Sequence, residues 1–323
     1  MHIGYHALIG AAANISVFDP TPITSFSPVV IPAPDRPVNL QVRVTVPSTE
    51  DTLPIILLSH GQGSSNWLSS LEGYAPLYEF WAARGFAVLQ PTHLGSTFYG
   101  LKPPEGQELF WQDRAADMVR ILDNLDAIEE AVPRLKGRLD RTRVAVAGHS
   151  AGGYTAAMLL GARNTDPRDN STWYRPEPRI KAGVVLSATG KGGEDISEMG
   201  KTLVPFYGPD FSKVTTPALV VYGDEDVSPH LTIRGADWHG DTFTLSPGPK
   251  DLLILKGAKH ALGGVSGWDV AETLDESVER LGVLQRMTWA YLRSQLYEGD
   301  SAWTEARQAF EKLEGQGTVE SKE

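Results

Sequence analysis

Six short apolar runs constrain this 323-residue chain more than any other feature: IILLS (55–59), FAVLQ (86–90), VAVAG (144–148), AGVVLS (182–187), ALVVYG (218–223) and LLILKG (252–257). A strand with one wet face alternates apolar and polar residues, so an uninterrupted apolar run marks a strand covered on both faces. Helical patterns lie between several of these runs. Met118, Ile121, Leu122, Leu125 and Ile128 recur at three- and four-residue steps, and YAPLYEFWAARG ends in a glycine suited to a helix C-terminus. Alternating strands and helices predict an α/β fold: a mostly parallel, doubly wound sheet with helices on both faces. The earlier segment LQVRVTV (40–46) does alternate, with Leu40, Val42, Val44 and Val46 on one side, and suits an antiparallel edge strand.

Outside these runs the patterning fades. Residues 20–37 are rich in proline and predict an extended lead-in. Segments 163–180 and 188–215 are polar and aperiodic, the signature of long loops. The end of the chain suggests a short amphipathic helix and a charged, frayed tail.

Composition excludes several function classes. Lys and Arg total 29 against 40 Asp and Glu, a formal charge of -11, which is the wrong sign for a nucleic-acid binder. The absence of cysteine removes disulfides, thiolate metal sites and cysteine nucleophiles. No H-x-x-x-H helix pair, P-loop or dinucleotide fingerprint is present, so neither a metal nor a cofactor is expected. No apolar run approaches the roughly 18–20 residues of a membrane span, so no integral membrane segment is expected. The N-terminal apolar stretch has no Lys or Arg ahead of it, which predicts a cytoplasmic protein, or a secreted one whose leader has been removed. Nothing in the pattern sets the oligomeric state.

The chemistry-bearing feature is VAVAGHSAGGYTAAMLL (144–160), where Ser150 stands between a buried strand and a helical pattern with glycine two residues away on either side. Such a turn lifts a serine out at the carboxyl end of the sheet, and Gly148 and Gly152 leave room for it. The amide of Ala151, at the helix N-terminus, is a candidate oxyanion donor. A second donor is expected after the third strand, where the HGQG run points to the amide of Gln62 flanked by Gly61 and Gly63. A nucleophilic serine needs a base and an acid, which on this architecture follow in the order Ser, acid, His. GDEDVS offers Asp226, with Asp224 and Glu225 as alternatives, and GAKHALGG offers His260. His149 is expected beneath the turn and His93 at a strand end, both as supporting groups, while His2, His6, His230 and His239 read as surface residues.

With SHGQGSS, GHSAGG, GDEDVS and GAKHALGG in this order, the chain resembles the α/β-hydrolase superfamily. More narrowly it is similar to the group containing predicted dienelactone hydrolases, chlorophyllases, platelet-activating-factor acetylhydrolases and polyester hydrolases. FWQDRAADMVRILDNLD and WAARGFAVLQPTHLGS share in that likeness. The resemblance covers about residues 40–297. With the lead-in and tail read above, it divides the chain into a lead-in over 1–37, an α/β-hydrolase catalytic domain over 38–297, and a helix and tail over 298–323; the stretch from Ser150 to Asp226 must hold a helix, two strands and the crossover between them, which leaves no room for a large cap domain. It also implies a Ser150–His260–Asp226 triad, with Gln62 and Ala151 lining the oxyanion hole. True dienelactone hydrolases use a cysteine nucleophile, which this chain lacks. The expected activity is a serine esterase acting on a small-molecule or lipid-like ester through an acyl-enzyme. Rivals are an acyltransferase, lipase, lactonase, amidase or polyester hydrolase on the same triad, and a binding protein with an idle site. Trp67, Tyr99, Phe206, Tyr207, Trp238 and Trp268 are candidate walls of the substrate pocket.

Overall fold

The computed structural model describes residues 9–323; His2 and His6 lie outside them. The chain enters through β1 (Ile23–Ile31), β2 (Leu40–Pro47) and β3 (Leu53–Ser59), followed by α1 (Ala75–Ala82) and β4 (Ala87–Pro91). α2 (Trp111–Asp123) and α3 (Leu125–Ala131) lead to β5 (Leu139–His149) and α4 (Ala151–Leu160). The short strands β6 (Arg163–Thr165) and β7 (Thr172–Trp173) precede β8 (Ile180–Leu186), α5 (Glu198–Leu203) and β9 (Pro209–Asp210). β10 (Ala218–Gly223), α6 (Asp241–Thr244), β11 (Lys250–Leu255), α7 (Val278–Leu296), α8 (Ala302–Phe310) and β12 (Gly317–Lys322) complete it.

The main sheet runs β1-β2-β4-β3-β5-β8-β10-β11-β12. Its six central strands, β4, β3, β5, β8, β10 and β11, are parallel, as the uninterrupted apolar runs require. Alternation along each strand divides the core in two. Ile55 and Leu57 of β3 and Val144 and Val146 of β5 join the side chains of α2, α3 and α4 on one face. Their neighbours Ile56, Leu58, Ala145 and Ala147 join α1, α7 and α8 on the other. The predicted doubly wound α/β fold is therefore the observed one.

The edges differ from expectation. β2 is antiparallel to β4 but is not the edge, because the proline-rich lead-in supplies β1, which pairs with it from Ile23–Pro47 to Ile31–Leu40. At the far edge the expected frayed tail forms β12, antiparallel to β11 from Lys250–Lys322 to Leu255–Gly317. The expected helix face through Ile128 is split at Asn124 into α2 and α3. The two expected long loops carry β6, β7 and β9, which make a separate three-stranded sheet, and α5. Among the described residues no helix is long and apolar enough to cross a membrane.

Candidate active site

Ser150 is the hinge between β5 and α4, with φ 56° and ψ −122°. This left-handed backbone is costly for a residue with a Cβ, by about 1–3 kcal/mol, and such strain collects at functional positions. The flanking glycines show why the turn is so tight. A Cβ on Gly148 would stand 2.0 Å from the Gly152 carbonyl oxygen, and one on Gly152 would stand 2.0 Å from that of Ser59. The strand-to-helix turn thus lies directly against the end of β3, whose following loop carries Gln62. Neither the Gln62 nor the Ala151 amide donates to an acceptor among the described residues.

Asp226 and His260 leave the carboxyl ends of adjacent parallel strands, β10 and β11. His260 Nδ1 lies 3.0 Å from Asp226 Oδ1 and 3.1 Å from Oδ2. Asp226 is fully buried, whereas the His260 side chain is 44% exposed. Burial alone would raise the Asp226 carboxyl, but the His260 and His239 rings outweigh it and hold the group far below the usual carboxylate range. Burial likewise pulls the His260 imidazole down, and the Asp226 carboxylate outweighs that pull, leaving it above its ordinary value. The His260 loop is pinned on both sides, since Asp275 Oδ2 accepts from the amides of Lys259 and Gly263 at 2.8 and 3.1 Å. Asp224 is exposed and accepts from the Gly257 amide at 2.6 Å, and Glu225 is also exposed. Of the three acidic residues weighed from sequence, only Asp226 meets His260.

Ser150, Ala151, Gln62 and His260 open into one cavity of about 370 Å³. No hydrogen bond joins Ser150 Oγ to the His260 ring among the described residues. Ile196, Leu203, Val204, Tyr207, Leu231 and Trp238 give the cavity its apolar walls, and no Lys or Arg lines it. Of the six aromatics expected from sequence, Tyr207 and Trp238 line this cavity. Phe206 is buried against Trp111, ring centroids 5.0 Å apart and stacked. Trp67 and Trp268 are about half exposed and outside the lining, and Tyr99 packs edge-on against Phe98. Large aromatics near a strand end serve the core or the surface as readily as a pocket, so their placement was not legible from the chain.

His239 is the clearest correction among the histidines. Expected on the surface, it is buried, with Nδ1 2.7 Å from the Ala188 carbonyl and Nε2 3.3 Å from both Asp226 Oδ1 and Ser228 Oγ. His230 is exposed, as expected. The ligand atoms of Asp226, His239 and His260 lie within 4.8 Å of one another, the spacing a metal ion would need. A cation there would compete with His260 Nδ1 for the carboxylate, so the arrangement suits a hydrogen-bonded acid–imidazole pair better than a metal centre.

Beneath the Gln62 loop, His93 Nε2 is 2.9 Å from Ser59 Oγ and Nδ1 is 3.0 Å from Asp117 Oδ2, a carboxylate also gripped by Arg36. His60 Nδ1 faces the Gly61 carbonyl at 2.6 Å, so its Nε2 accepts from the His93 amide at 3.0 Å. Burial pulls both rings well below the usual imidazole range and pushes the Asp117 carboxyl up to about 7. Arg114 donates to the His60 carbonyl from the α2 side. These groups are a polar bed under the loop, consistent with the supporting part expected of His93. Tyr74 belongs to the same bed and no sequence signal marked it: it is fully buried with φ 69° and ψ 20°.

A mostly parallel sheet carrying a serine on a strained strand-to-helix turn, with acid and histidine following in chain order, defines a hydrolase class. The chain belongs to the Alpha/beta hydrolase family, whose model matches residues 55–316. Among curated proteins it is similar to Dipeptidyl peptidase family member 6 of Caenorhabditis elegans, 29% identical over 209 residues, covering 61% of this chain and 26% of that protein. It is also similar to Dipeptidyl aminopeptidase BIII of Pseudoxanthomonas mexicana, 25% identical over 185 residues, covering 54% of this chain and 25% of that protein. The chain thus spans about a quarter of the length of these relatives. Both relatives carry peptidase names, whereas the motif resemblance points to esterases.

Proposed function

We propose that the protein hydrolyses carboxylic esters through an acyl-enzyme on Ser150. The observation that carries this reading is the buried Asp226 carboxylate 3.0 Å from Nδ1 of His260, which lines the same cavity as Ser150. Because Nδ1 donates to the carboxylate, Nε2 is left as the basic atom. On substrate binding the ring closes on Ser150 Oγ and takes its proton as the oxygen adds to the ester carbonyl. The oxyanion forms against the Gln62 and Ala151 amides, and Asp226 stabilises the imidazolium. Collapse breaks the bond to the alcohol, which leaves with the proton from His260. Water, deprotonated by the same nitrogen, then adds to the acyl-enzyme and releases the acid and free Ser150. Apolar walls without Lys or Arg favour an apolar acyl group over an anionic one, and the Glu272 carboxylate in the same lining is engaged by Ser64 and Ser65. The group resemblance to platelet-activating-factor acetylhydrolases and polyester hydrolases agrees with that choice.

The same residues could cleave an amide, and the two relatives named as peptidases favour this second reading. Purified protein is assayed on p-nitrophenyl esters from acetate to palmitate and on dipeptidyl p-nitroanilides, beside Ser150→Ala and with fluorophosphonate labelling located by mass spectrometry. Ester turnover lost in Ser150→Ala, with the label on Ser150, is the expected result. Anilide turnover exceeding ester turnover would replace the proposal by the peptidase reading, and ester turnover surviving in Ser150→Ala would refute both.

A further inference from the structure

The serine turn, the oxyanion loop and the base are joined by hydrogen bonds whose directions are fixed. The Gly61 amide can only donate, and it reaches Tyr74 Oη at 2.8 Å. That oxygen accepts, so the phenol's single proton is free for His149 Nδ1 at 3.1 Å. His149 therefore carries its own proton on Nε2, which lies 2.7 Å from the His260 carbonyl, a group that can only accept. Burial, then the neighbouring His260, holds His149 down to about 3, and burial raises Tyr74 above the ordinary phenol value, so both stay neutral. The run thus goes from the residue before Gln62, past the residue before Ser150, to His260 itself.

Two independent features of the backbone serve this run. Tyr74 takes up a left-handed conformation unusual for its type, and its own amide is tied to Ser266, in the loop that follows His260, at 3.0 Å. Gly61 has no Cβ, and one added there would stand 2.9 Å from the phenol oxygen. The chain gives up local backbone comfort at one residue and side-chain bulk at another, and both bring the hydroxyl to the Gly61 amide.

We propose that Tyr74 and His149 form one hydrogen-bonded strut that sets the spacing between the oxyanion amide of Gln62 and the general base His260. The proposal rests on the hydrolase reading of Ser150. Neither residue acts on substrate directly; both are positioning residues. The strut fixes the backbone of the Gln62 loop relative to the backbone of His260, from which the ring closes on Ser150, so its loss costs the chemical step more than ground-state binding.

The test is Tyr74→Phe, which keeps the ring and removes the one atom that bonds both neighbours, compared with His149→Leu and the double variant. Rates on a p-nitrophenyl ester are expressed per fluorophosphonate-titrated site, and phenylboronic acid, which forms a tetrahedral adduct on a nucleophilic serine, serves as the transition-state mimic. For Tyr74→Phe, kcat is expected to fall about 10–100-fold with KM changed by less than about threefold, and the Ki of phenylboronic acid to rise in parallel. The double variant is expected to be no worse than the weaker single variant, as befits parts of one unit. Variants that melt earlier but keep kcat and Ki per titrated site overturn the strut and leave only a structural contact. Fully additive losses overturn it as well. His149→Gln, which keeps an acceptor and a donor, stands in if the leucine variant does not fold, and is expected to retain more activity than Tyr74→Phe; equal or greater loss counts against the strut. Wild-type protein that neither labels at Ser150 nor turns over ester would instead fell the hydrolase reading, and the strut with it.

Discussion

Replacing Asp226 by Asn tests the proposed acid without changing its shape. The carboxylate is fully buried and lies 3.0 and 3.1 Å from His260 Nδ1. When His260 takes the Ser150 proton, a cation forms about 3 Å from that anion, an attraction of about 5.5 kcal/mol at an effective dielectric of about 20. At about 1.4 kcal/mol per factor of ten, its loss corresponds to a fall in kcat of about 10⁴-fold. The amide adds a second penalty, because its N–H donates to Nδ1 and favours the tautomer with the proton on Nε2, where it cannot accept from Ser150. The assay is steady-state hydrolysis of a p-nitrophenyl ester, normalised to folded protein, with Asp224→Asn as the control. Asp224 is exposed and its side chain accepts from the Gly257 amide, away from His260, so its substitution is expected to change kcat by less than about threefold. If Asp226→Asn keeps more than about a tenth of wild-type kcat, or Asp224→Asn loses as much, the assignment of the acid fails.

The pH dependence follows from the same pair. His260 sits above its ordinary value, so kcat/KM should fall as pH drops through a point above about 6.5, and in Asp226→Asn the residual activity should have its acid limb at lower pH, because the largest influence opposing burial is then gone and only the more distant Asp275 remains; a wild-type limb below about 6.5 contradicts this. Asp226 is held far below the usual range, so its contribution to stability is complete above the unfolded value of about 3.9 and is lost as pH falls below it, which acid titration of the melting temperature would reveal. Gly152→Ala drives a Cβ to 2.0 Å from the Ser59 carbonyl oxygen and 2.7 Å from that of His60, backbone atoms that cannot swing aside. A loss of about 1–3 kcal/mol and several degrees of melting temperature is expected in calorimetry, together with reduced turnover, since the displaced strand end carries the Gln62 loop. An unshifted melting temperature would mean that the turn is not as closely packed as described.

The candidate site was legible where its chemistry is written into neighbouring residues. Ser150 could be placed because an apolar run, two glycines and a helical pattern meet within a few residues, and local sterics leave few other ways to build that turn. His260 was singled out because it follows a buried strand and precedes glycines. Asp226 stood first among three adjacent acidic residues in the sequence, with Asp224 and Glu225 as alternatives, and which of them faces an imidazole is visible only in the geometry. His239 shows the opposite limit: its segment has no period and a polar composition, and only the docking of that segment over β10 buries the ring beside Asp226.

What the chain determined by itself is therefore the central parallel sheet, the division of its core and the serine turn. Each depends on periodicity or sterics within a few residues, and these survive without knowledge of the rest of the molecule. Only the tertiary structure decided that the proline-rich lead-in and the charged tail close the two sheet edges, because an edge strand is stabilised by backbone pairing that most side chains permit. The same holds for the cavity walls and for the Tyr74–His149 strut. Their members come from segments far apart in the chain, and what unites them is distance and hydrogen-bond direction, which no local pattern records.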